Sequence, residues 1–164
     1  MVGAVSVTPV TSAPVGVFRS PLPGVPDRAW RRLVRVLEVQ GVGETSGSGG
    51  LGAFDVPARR LVELGLASGL RHEATPAGGY RRTCDFAPAI KGLLSDPFLQ
   101  YGVLSFSLSR YDENMRVGRI KRPVDLSRAG ALALLHRGGR GALAAWPDLY
   151  PKTAALVERA RSAF

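Results

Sequence analysis

The step Asp96-Pro97, followed by apolar residues at helical spacing as far as Met115, constrains the fold of this chain more than any other feature. The aspartate carboxylate can accept from the free amides of a first turn, and proline fits where no amide is needed. Phe98, Tyr101, Leu104, Ser105, Leu108, Tyr111 and Met115 follow one face, which predicts a long core helix to about Arg116. No segment alternates apolar and polar residues strongly enough to make a sheet the main architecture, so the expected fold class is mainly α.

Shorter helices are expected on either side. Asp27 is placed as the N-cap of a helix carrying Trp30, Leu33, Val34 and Leu37 at 3,4,7 spacing and stopping near Gly41. Residues 41–52 (GVGETSGSGGLG) form a loop by composition, because so many glycines make a helix costly in backbone entropy. Asp55 can then cap a short helix with Pro57 in its first turn and Leu61 and Leu64 inward, stopped by Gly65 or Gly69. Residues 71–87 lack a helical period, and Pro76, Gly78 and Gly79 mark a surface loop. Asp125 or Ser127 can cap a helix through Leu135, glycines within 138–141 interrupt it, and a last helix runs from Pro151 to about Ser162. Residues 1–25, rich in Pro, Val, Ser and Gly, are expected as an extended arm, and residues 26–164 as a single domain.

The formal charge is +9 and 45% of the residues are hydrophobic, which fits a packed globule attracted to polyanions: nucleic acid, an acidic membrane face or an anionic cell wall. Nineteen of the 22 basic residues are arginine, a bias that GC-rich coding also produces. Arg28, Arg31, Arg32 and Arg35 line one helix as a solvated face or as a steering surface for an anionic partner. No run of about 18 uncharged apolar residues is present, so no membrane span is expected, and no basic n-region marks a signal peptide. Cys84 is the only cysteine, which excludes an internal disulfide, and with only His72 and His136 beside the carboxylates no metal site and no cofactor are expected.

Cleavage of a glycan strand needs a carboxylic acid that stays protonated near neutral pH and can protonate the leaving oxygen. A glutamate ending an apolar helix beside a cleft suits this, because desolvation favours the neutral carboxyl. Glu38 follows Leu37 on such a helix, three residues before the glycine-rich loop. The same residue also suits the solvated side of that helix, where Arg31 and Arg35 lie at pairing distance in sequence.

Glu38-Val39-Gln40-Gly41, the Ser/Gly loop, Gly49-Gly50-Leu51-Gly52, Phe54-Asp55 and the segment 58–66 (ARRLVELGL) follow one another in this order. Together they resemble the lysozyme-like peptidoglycan hydrolases and lytic transglycosylases of bacteria and phages. Residues 93–100 (LLSDPFLQ) are similar to that family's lead-in to its long helix, and residues 125–146, with His136, to its helical hairpin. The sequence departs from the pattern at Val39, where serine is usual, and at Phe54-Asp55, where an aromatic-Gln pair is usual.

The resemblance covers about residues 30–146 and implies a lysozyme-like helical domain. It also implies peptidoglycan as the substrate, Glu38 as the acid, and Phe54 and Gln100 as substrate-binding candidates; Tyr80, in the expected loop beside Arg81 and Arg82, is a further candidate for its own reason, an aromatic ring placed to stack on a sugar. Glu44 or Asp55 across a cleft would support hydrolysis by two carboxylates, whereas Glu38 alone would match a lytic transglycosylase. Glu44 is otherwise a loop charge, Asp55 a helix cap and His136 a core histidine. Action would then be at a cell wall or within a virion or secretion assembly, after synthesis in the cytoplasm. Two other functions remain open: a catalytically inactive structural component, such as a phage-tail part whose arm holds a neighbouring protein, and a nucleic-acid binder using the arginine face.

Overall fold

Local cap and turn chemistry marks several helix boundaries in the computed structural model, which describes residues 18–38, 54, 56, 58–76, 78–86 and 96–164. Among them are five helices, α1 (Asp27–Leu37), α2 (Ala58–Glu63), α3 (Pro97–Arg116), α4 (Arg128–Ala144) and α5 (Pro151–Ala160). Two strands, β1 (Ala67–Thr75) and β2 (Gly79–Phe86), form one sheet. The described chain is therefore mainly α.

Helix α3 begins as its cap chemistry requires, with the Asp96 carboxylate accepting from the Phe98 amide at 2.9 Å. Leu104, Leu108 and Tyr111 are buried along the expected face. Phe98 departs from it and is 59% exposed. At about 100° per residue it stands roughly 120° round the helix from Leu104, outside the buried arc. At α1 the cap also differs. Pro26 is the N-cap, and Asp27 lies inside the first turn, where its carboxylate accepts from the Ser20 amide at 2.8 Å.

The chain divides into two compact units, one of residues 1–13 and 39–103, the other of residues 14–38 and 104–164. In the first, α2 packs against both strands and buries Leu61, and Gly65 leaves the helix in the left-handed region at φ +72. The strands are antiparallel, with His72 opposite Arg82 and Thr75 opposite Gly79. A register irregularity lies between Ser68 and Arg71, where Gly69 has φ +65. The Arg71 guanidinium grips the Asp85 carboxylate with bonds of 2.8 and 3.1 Å. Most of residues 71–87, expected as a loop, thus form the larger part of a hairpin. Backbone pairing satisfies a segment whose residues carry no apolar alternation.

In the second unit α1, α4 and α5 pack on one another around Trp30, Leu33, Leu132, Leu135 and Val157. Residues 18–25 belong to this packing, with Phe18, Leu22 and Val25 buried. The Phe18 carbonyl accepts from Arg31 Nε at 2.8 Å, and the Pro23 carbonyl from Arg128 Nη2 at 3.0 Å. The arm expected over residues 1–25 is therefore, in its last eight residues, core-forming chain. Ser127 caps α4 by accepting from the Gly130 amide at 3.0 Å, and the expected interruption falls at Gly139, φ 70.

Charge is divided unevenly. The second unit holds 16 of the 22 basic and 7 of the 13 acidic residues, and so carries the whole formal charge of +9; the first is balanced at 6 of each.

Candidate functional site

Glu38 is the residue on which α1 ends. Its amide still donates to the Val34 carbonyl at 3.0 Å, while its own φ of −70 and ψ of 123 turn the chain out of the helix. The position is firmly held, because Trp30, Leu33, Val34 and Leu37 are all buried on the preceding turns. Glu38 itself is half-buried. A carboxyl so placed has a fixed backbone and retains accessible surface, two of the things a proton donor to a bound polymer requires.

Glu44 and Asp55 lie outside the described residues. Phe54 and Gln100 are both buried, so the structure places them in the interior instead of on a substrate-accessible wall. Gln100 stands only about 40° round α3 from Leu104, which puts it within the buried arc. Tyr80 belongs to strand β2, opposite Ala74, and not to the loop in which it was expected. His136 is buried in α4, consistent with a core position.

Burial pushes the Cys84 thiol above its ordinary value, reinforced by the Asp85 charge and opposed by Arg71. The neutral thiol is a poor nucleophile, which leaves covalent catalysis by Cys84 without support. No group of three His, Cys, Asp or Glu among the described residues is arranged to hold a metal ion.

One polar constellation was not anticipated. Asp112 on α3 is 1% exposed and is gripped by Arg128 at the start of α4, Nε to Oδ1 at 2.6 Å and Nη2 to Oδ2 at 2.7 Å. The hydrogen bond it donates to Asp112 raises the Arg128 pKa, and desolvation opposes it. Asp112 sits about 80° from Leu104 on α3, at the margin of the buried arc, so helical phase was the available signal. With the Pro23 carbonyl also bound, this cluster fastens three distant stretches of one unit; it is built for structure.

Compared with known proteins, the chain matches no family model, no curated protein and no solved structure. The lysozyme-like resemblance accordingly rests on the motifs in the sequence. Among the described residues no helix is long and apolar enough to cross a membrane.

Proposed function

We propose that this chain cleaves the glycan strands of peptidoglycan as a lysozyme-like enzyme, with Glu38 as the general acid. The observation that carries the proposal is the placement of Glu38, half-buried and immediately beyond the buried face of α1. A proton held on its carboxyl would pass to the glycosidic oxygen as the bond to the sugar breaks. The carboxylate left behind would then deprotonate either water, giving a reducing end, or the substrate's own hydroxyl, giving an anhydro sugar. Glu44 and Asp55 are the candidates for a second carboxylate in the first case.

Release of soluble muropeptides from purified peptidoglycan tests this, with mass spectrometry to distinguish anhydro from reducing ends. Glu38→Gln preserves the shape of the side chain and removes the transferable proton, so turnover should fall by at least about 100-fold with the fold intact. A folded wild-type chain that releases nothing refutes the enzyme assignment. An active Glu38→Gln variant refutes the choice of acid. A non-catalytic role in an assembly is the second possibility, favoured by the exposed rings of Phe98 and Phe106 on α3, 59% and 53% accessible.

A further inference from the structure

The connection between α3 and α4 concentrates the excess charge of its unit. Arg116, Arg119, Lys121 and Arg122 fall within seven residues, with no carboxylate between Glu113 and Asp125. All four are exposed. The turn that presents them is well fastened. Gly118, at φ +78, donates to the Met115 carbonyl at 3.2 Å, and the Ile120 amide reaches back to Asn114 at 3.0 Å. Ile120 is buried and anchors the turn from within, while its neighbours Arg119 and Lys121 face solvent. Arg122 adds a bond to the Leu126 carbonyl at 2.5 Å.

Two further residues make this more than a solvated basic face. Val117, between Arg116 and Arg119, and Val124, two residues after Arg122, are 56% and 101% exposed. Among the described residues Arg116, Arg119 and Lys121 have no carboxylate partner. The surface therefore offers cations free to meet phosphates, with two exposed aliphatic side chains in the same short stretch.

We propose that this turn docks the protein on a bilayer of anionic phospholipid, with the cations on lipid phosphates and Val117 and Val124 reaching the headgroup–acyl boundary. Juxtaposed cations and apolar residues are the two contributions that hold peripheral proteins on acidic membranes, and neither suffices alone at ordinary ionic strength. A nucleic acid would use the cations but gain little from the valines, since single strands are held by aromatic stacking and duplexes by phosphate and base-edge contacts. The docking requires no glycan-cleaving activity, so its test stands apart from the muropeptide assay.

The experiment is cosedimentation of the full chain with vesicles of phosphatidylcholine alone or mixed equally with phosphatidylglycerol. Binding is expected only to the mixed vesicles and should weaken with salt. Arg119→Gln/Lys121→Gln should reduce it by roughly 25-fold, at about fivefold for each cation. Val117→Ser/Val124→Ser, which leaves the charge intact, should reduce it by at least about fivefold. Arg28→Gln/Arg32→Gln, an equal charge change on exposed positions of α1, should cost less than about fivefold. Circular dichroism confirms the fold of each variant. Failure to bind the mixed vesicles overturns the proposal. So does a valine variant that binds like wild type, an α1 variant as impaired as the turn variant, or tighter binding to a DNA duplex than to the vesicles at the same salt.

Discussion

Replacing Arg128 with methionine keeps the aliphatic stem and removes the donors that compensate a carboxylate only 1% exposed. Two charge-assisted bonds to Asp112 and one bond to the Pro23 carbonyl are lost together. Stranding a buried charge costs about 3–5 kcal/mol. With an m-value of about 2 kcal/mol per M, the urea midpoint should fall by roughly 1.5–2.5 M at unchanged slope. The reverse deletion is milder. In Asp112→Leu the guanidinium, whose side chain is 27% exposed, keeps the Pro23 carbonyl and turns toward water, for a cost of about 1–3 kcal/mol. The double variant Asp112→Leu/Arg128→Met strands no charge and should lie within about 2 kcal/mol of wild type, far less destabilised than the sum of the singles. An Arg128→Met cost below about 1 kcal/mol, or additive single costs, would refute the assignment of this pair as a coupled, buried clasp.

Two other perturbations test the packing of particular residues. Gly130→Ala gains about 1 kcal/mol of helix propensity. Its Cβ would nevertheless stand 2.9 Å from Leu126 Cδ1 and 3.3 Å from Arg161 Cβ, and Leu126 is buried, so a net loss of about 1–3 kcal/mol is expected. A melting temperature at or above wild type would contradict it. For Cys84, the folded state holds the thiol proton more tightly than the unfolded state. Its contribution is therefore fully present below the ordinary thiol value of 9.0 and is lost as pH rises through the folded value. The stability lost between about pH 8 and about pH 10.5 should be smaller in Cys84→Ser than in wild type; equal losses in urea unfolding would refute burial as the cause.

The features visible in the sequence were those whose causes are local. Asp96-Pro97 and Ser127 announce helix starts because a cap is satisfied within three residues, and Gly139 announces a break because its φ suits no helix. The hairpin was hidden for the opposite reason. Arg71, His72 and Glu73 on one strand and Arg81, Arg82 and Asp85 on the other leave no period-two apolar signal, and what sets the register is pairing between residues up to 19 apart, Ala67 with Phe86. Pro76, Gly78 and Gly79 mark a surface loop in the sequence without showing that it closes a hairpin, although Gly78 at φ +79 is suited to close one. Phe98 belongs to the apolar row of the sequence, but its phase round the helix takes it off the buried arc. For Gln100, a substrate-binding candidate by resemblance, the same phase points to the core. Glu38 was legible as the end of an apolar helix; what lies opposite it depends on long-range packing, to which spacing within α1 is blind.

The division of the chain into units has a consequence during synthesis. The charged unit is discontinuous, since residues 14–38 find their partners among residues 104–164, while residues 39–103 form the bulk of the other unit from one uninterrupted stretch. At about 5–20 residues per second, roughly 5–18 s separate the end of α1 from the start of α4, the first helix that packs on it. Trp30, Leu33 and Leu37 are exposed for that interval, and the ribosome must also deliver α4 and α5 before they are sheltered. The hairpin unit can fold first, as an insertion completed before its host. Until then the nascent α1, with an apolar stripe on one side and Arg28, Arg32 and Arg35 on the other, is the kind of segment that holdase chaperones capture.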